Sequence, residues 1–173
     1  MKKTPLALVL AFGLASGSAF AASSGTITIN GLVMDQTCTI VGAADQTVTL
    51  ATVAKADLAA LGDEAAQQSF TIQLEDCVAG DVSAFFSADT ASLIDPATNT
   101  LVNQGDATNV NVALYEENGD QIRLGDSTYI YADKKTVAVD GTATLMYSAG
   151  YYATDTAGPG TVNAVANYTI SYQ

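Results

Sequence analysis

The chain contains no histidine. That absence removes Ser-His-acid and Cys-His nucleophilic sites, and every zinc site built on imidazole. There is no glycine-rich phosphate loop and no basic patch, so nucleotide and nucleic-acid binding lack their usual parts. Cations are scarce, six Lys and Arg against 18 Asp and Glu. Paired carboxylates for glycosidase-type chemistry occur only as the chance neighbours that 18 scattered acidic residues produce. The expectation is a protein that is not an enzyme, uses no cofactor or metal, and does not bind nucleic acid. Acidic pairs such as Asp63 with Glu64, and Glu116 with Glu117, read as solvated surface that favours solubility.

Long hydrophobic runs are also missing. The apolar run at residues 6–14 is shorter than the ~20 residues that a bilayer span needs. It follows Lys2 and Lys3 and leads through small residues to Ala19, Phe20 and Ala21, the layout of a secretory signal peptide with an A-x-A cleavage site. Residues 1–21 are therefore expected to be removed, and the mature chain, starting at Ala22, is expected not to insert into a membrane. Its cations are Lys55, Arg123, Lys134 and Lys135, which against 18 acidic residues leave a net charge of −14.

Two cysteines are present, Cys38 and Cys77. In an exported chain an even pair reads as a disulfide, formed here in an oxidising periplasm. Closing a loop of about 40 residues stabilises a fold by roughly 4 kcal/mol in the chain-entropy model. Two buried free thiols, or a metal pair short of further ligands, are the alternatives.

What fills the chain is period-two alternation. Residues 26–34, 47–50, 69–74, 82–87, 110–115, 121–124 and 142–152 read as strands. Asn118 and Gly119 between two of them are a hairpin-turn signal. In the final stretch Ala164, Ala166, Tyr168, Ile170 and Tyr172 alternate with Val165, Asn167, Thr169 and Ser171, which fits a strand with one buried face. Residues 52–61 alone look helical, with Gly62 as the stop. One short helix among seven or so strands predicts an all-β sandwich.

Three segments carry a resemblance. One runs from Gly25 through Ile27, Ile29, Gly31 and Val33 to Cys38; another, from Ser69 to Cys77, surrounds the second cysteine; the third runs from Tyr151 through Gly158, Pro159 and Gly160 to Tyr172 and Gln173. Together they resemble type 1-like major pilins of the chaperone–usher pathway, across essentially the whole mature chain. That family has a glycine fourteen residues from the C-terminus and a penultimate tyrosine, the places of Gly160 and Tyr172 here. The resemblance implies an incomplete immunoglobulin-like β-sandwich lacking its final strand. It also implies a donor-strand extension at residues 22–34 and a pilin domain at residues 35–173.

Periodicity alone reads residues 22–34 as the sandwich's own first strand. The resemblance reads them as a strand lent to a neighbour, with Ile27, Ile29 and Val33 as apolar plugs, each worth roughly 1.5–3 kcal/mol on burial. Gly31 then meets a shallow part of the groove. Gly160, Tyr168, Ile170 and Tyr172 belong to the receiving side. The implied partners are other copies of the chain or sister pilins, a periplasmic chaperone and an outer-membrane usher. The implied place is the fimbrium at the bacterial cell surface, where the fibre supports adhesion. A minor adaptor or terminator pilin, or a free-standing secreted β-sandwich binding module, are the other expectations.

Overall fold

The alternating segments become antiparallel strands in a computed structural model that describes residues 28–29, 38–126 and 134–172. In chain order these are β1 (Thr39–Ile40), β2 (Glu64–Glu75), β3 (Asp81–Ser87), β4 (Ile94–Asp95), β5 (Thr100–Leu101), β6 (Val110–Glu116), β7 (Lys135–Thr136), β8 (Ala143–Ala153) and β9 (Asn167–Tyr172). They form a six-stranded sheet in the order β1-β2-β8-β6-β5-β4 and a three-stranded sheet in the order β7-β3-β9. All of this lies in the unit Met34–Gln173. Of the unit Met1–Val33, Thr28 and Ile29 are described, and both are exposed and outside any strand.

Each sheet turns one face inward, because every second side chain along a strand is apolar. From β2, Ile72 and Leu74 enter the core; from β8, Leu145 and Tyr147; from β3, Val82 and Phe86. The Phe86 and Tyr147 rings meet edge to face at 4.8 Å. Tyr147 also ties the sheets together, since its hydroxyl accepts the Ala84 N–H at 3.1 Å. Aromatic packing with a satisfied hydroxyl gives the core both area and orientation. A disulfide joins Cys38, just before β1, to Cys77, just after β2.

Three expectations need correction. The helix expected at residues 52–61 shrinks to a single 3-10 turn, Lys55–Leu58. Acidic side chains account for this. Asp57 accepts the Ala54 N–H at the start, and Asp63 accepts the N–H groups of Ala59 and Ala60 at the end. Asp57 thus fixes where the turn starts, and Asp63 takes the N–H groups that a longer helix would donate backward. The strand expected at residues 121–124 amounts to one bridge, Gln121 to Tyr115, because the backbone turns as soon as the Ile122 N–H has reached Leu114. The third correction concerns residues 47–50 and 163–166. Both alternate between exposed and half-buried side chains as strands do, and neither is paired in a sheet with another of the described residues.

Candidate functional site

The two unpaired extended segments line the same space. Residues 44–50 and 162–168 flank a groove of about 870 Å³. Its floor is core: Phe70, Ile72, Leu101, Val112, Leu114 and Ala149. Local sequence sets the walls. Val48 and Leu50 on one side, and Val162, Ala164 and Ala166 on the other, turn inward and pack on the core cluster, while Thr47, Thr49, Asn163 and Val165 stay exposed. β9, which continues the second wall, is an edge strand among the described residues, paired with β3 on one side only. An edge with free backbone groups above apolar side chains invites another strand and is a hazard if left bare.

The residues expected to receive a strand fall into three places. Tyr168 lines the groove itself, and its hydroxyl donates to the Ala44 carbonyl at 2.8 Å, linking the two walls. Burial, and then the nearby Asp45 charge, push its phenol above the usual range. Ile170 packs on the core farther along the same face. Tyr172 does so too, and its hydroxyl accepts the Cys38 N–H at 3.0 Å.

Gly160 sits apart from the groove lining, at the entrance to the wall. A Cβ there would lie 2.3 Å from the Ala107 nitrogen and 2.6 Å from the Asp106 carbonyl carbon. Both are main-chain atoms, so nothing flexible can give way. Gly160→Ala is expected to destabilise the domain by about 1–3 kcal/mol, read as a lower denaturant midpoint. An unchanged midpoint would mean that this contact is not made in solution.

Of the residues expected to be lent, Ile29 is 89% exposed. Ile27, Gly31 and Val33 lie outside the described residues. Sequence reasoning missed residues 44–46 as part of a wall, and missed the loop at residues 103–107 entirely. Neither segment carries a periodic signal that single-sequence reading detects.

The geometry is that of a β-sandwich with one open strand position over an apolar floor. The fimbrial protein family model matches residues 24–173, and the chain belongs to that family. It is 41% identical to the major fimbrial subunit SMF-1 of Stenotrophomonas maltophilia, over 87% of this chain and 94% of that one. It is 36% identical to the type-1 fimbrial protein A chain of Escherichia coli, over the full length of both. The fold matches a subunit of a solved chaperone–usher pilus with a TM-score of 0.64 at 22% identity, covering 91% of this chain and all of that one. The two antiparallel sheets are thus the immunoglobulin-like sandwich expected, with one strand position open.

Proposed function

We propose that the protein is a structural subunit of an extracellular pilus that polymerises by donor-strand exchange. Residues 22–34 of one copy fill the groove of the next. Ile27, Ile29 and Val33 act as plugs, and Gly31, in the same register, lets the donor backbone approach the floor closely. Tyr168, Ile170 and Tyr172 form the receiving face.

The observation that carries this reading is the open groove between residues 44–50 and 162–168. A donated strand supplies main-chain hydrogen bonds and alternate side chains at once, a binding mode of which pilin strand complementation is a known example. Donor and acceptor lie on different parts of one molecule, so the contact is head-to-tail, does not close, and produces a filament.

Before assembly the same groove needs a temporary cover. A periplasmic chaperone supplies it, and an outer-membrane usher exchanges it for the next subunit's strand. The signal peptide at residues 1–21 directs export, and the assembled fibre stands at the cell surface and supports adhesion.

The test is uptake of a synthetic peptide of residues 22–34 by the mature chain. The expected result is an unfolding midpoint that rises with peptide concentration, as for any ligand that binds only the folded state. A midpoint indifferent to the peptide would remove the basis of the reading.

A further inference from the structure

Among the described residues the wall of the groove at residues 161–166 has no strand partner, yet its orientation is fixed. In extended backbone, the N–H and C=O of one residue point to one edge and those of the next residue to the other. Asn163 directs both of its groups at the loop formed by residues 103–107. Its N–H donates to Asn103 Oδ1 at 2.8 Å, and its carbonyl accepts the Gln104 N–H at 2.7 Å. The Thr161 carbonyl accepts from the same loop, from the Ala107 N–H at 3.0 Å and Asn103 Nδ2 at 3.4 Å.

Asn103 is the hub of this contact. Its Oδ1 also accepts the Gly105 N–H at 2.8 Å, and its Nδ2 donates to the Ala107 carbonyl at 2.9 Å. It is itself anchored, because its backbone N–H donates to Asn111 Oδ1 at 3.3 Å. Asn111 is buried in β6 and bonded to Thr100 Oγ1 at 2.9 Å. The approach is close enough that a Cβ on Gly105 would lie 2.2 Å from the Thr161 carbonyl oxygen.

Odd-numbered residues of the wall therefore face the loop. The side chains of residues 161–170 alternate between exposed and half-buried without a break, so no bulge resets the pattern. β3 agrees with this phase. Ala84, opposite Ile170, gives its N–H to the Tyr147 hydroxyl rather than to β9, which leaves the odd-numbered residues of β9 to bond β3. The even-numbered residues Val162, Ala164 and Ala166 then turn their N–H and C=O groups toward the groove.

We propose that Asn103 is a positioning residue for strand uptake: its side-chain amide sets the phase of the acceptor wall, so that the backbone of Val162, Ala164 and Ala166 meets the incoming strand. This rests on the strand-acceptor function proposed above. Asn103 touches the wall and not the donor, so it acts through Asn163 and Thr161.

The experiment uses isotope-labelled mature chain and the synthetic peptide of residues 22–34, with amide hydrogen exchange followed by NMR. In the wild-type chain, peptide is expected to slow exchange at Ala164 and Ala166 and to leave Val165 unchanged. Slowing at Val165, with Ala164 and Ala166 still fast, overturns the proposal. Asn103→Leu removes all of the side-chain hydrogen bonds and is expected to bind the peptide roughly tenfold more weakly. Asn103→Asp keeps the oxygen that accepts from Asn163 and Gly105 but sets its second oxygen against the Ala107 and Thr161 carbonyls, and is expected to recover only part of that loss. Equal affinity in wild type and Asn103→Leu overturns the proposal while leaving the strand-acceptor reading intact. If Asn103→Leu does not fold, the wild-type exchange pattern alone decides. Peptide that fails to bind the wild-type chain overturns the strand-acceptor reading, and the proposal with it.

Discussion

Gly31→Asn is expected to stop fibre growth while leaving the subunit folded and able to bind its periplasmic chaperone. The substitution puts an amide side chain where the donor strand, in its proposed register, presses backbone against the groove floor. Overpacking costs about 1–3 kcal/mol, and burying an amide without a partner costs roughly as much again. Together they slow exchange by at least about thirtyfold. In the proposed assembly the chaperone covers the groove and not the donor, so its complex with the variant is expected to form normally. Ser24→Asn, outside the plug register, is the control and should assemble as wild type. Normal fibre yield from Gly31→Asn, measured by electron microscopy and by the amount of subunit sheared from cells, would contradict the register.

Cys38→Ser is expected to lower subunit yield in the periplasm and to destabilise the domain by about 4 kcal/mol. The bond closes a separation of 39 residues. Its loss is large beside the 5–15 kcal/mol that separates folded from unfolded states in typical domains, and here one strand position is open. Position adds to the effect. Cys38 precedes β1, which is only two residues long, and its N–H donates to the Tyr172 hydroxyl. Releasing it loosens the end of β9 at Tyr172 as well as the unfolded-state constraint. Periplasmic yield and the urea midpoint, each with and without reductant, measure the effect. Wild-type values in both would mean that the bond is dispensable.

The sandwich was legible because alternation reports a buried face, and most of the strands read from it are present. Residues 110–115 fall in β6 and residues 142–152 in β8 almost to the residue. Alternation does not report whether a strand's edge is paired. Residues 47–50 and 163–166 carry the pattern as clearly as β3 does, yet stand on either side of an open groove. Side-chain periodicity records what lies above and below a sheet; a missing neighbour lies in the plane of the sheet, where side chains carry no record of it. The expectation of a missing strand came instead from the resemblance around Cys38, Cys77 and Tyr172.

Other features were illegible for different reasons. The hub at Asn103 depends on loop geometry that brings it to Asn163, 60 residues away in the chain. The helix at residues 52–61 failed because alanine propensity is weak beside two well-placed carboxylates. Gly160 stands out in sequence only by its place in the family pattern, and its close contact with Ala107 supplies a physical reason for a glycine there.

A high-resolution structure of the assembled fibre bears most directly on how the sheet is completed. The expected density is an extended segment, residues 27–33 of a neighbouring copy, lying between residues 44–50 and 162–168 with Ile27, Ile29 and Val33 turned toward Phe70 and Leu114. A groove occupied by the molecule's own N-terminal residues, or left open within the fibre, would contradict polymerisation by a borrowed strand.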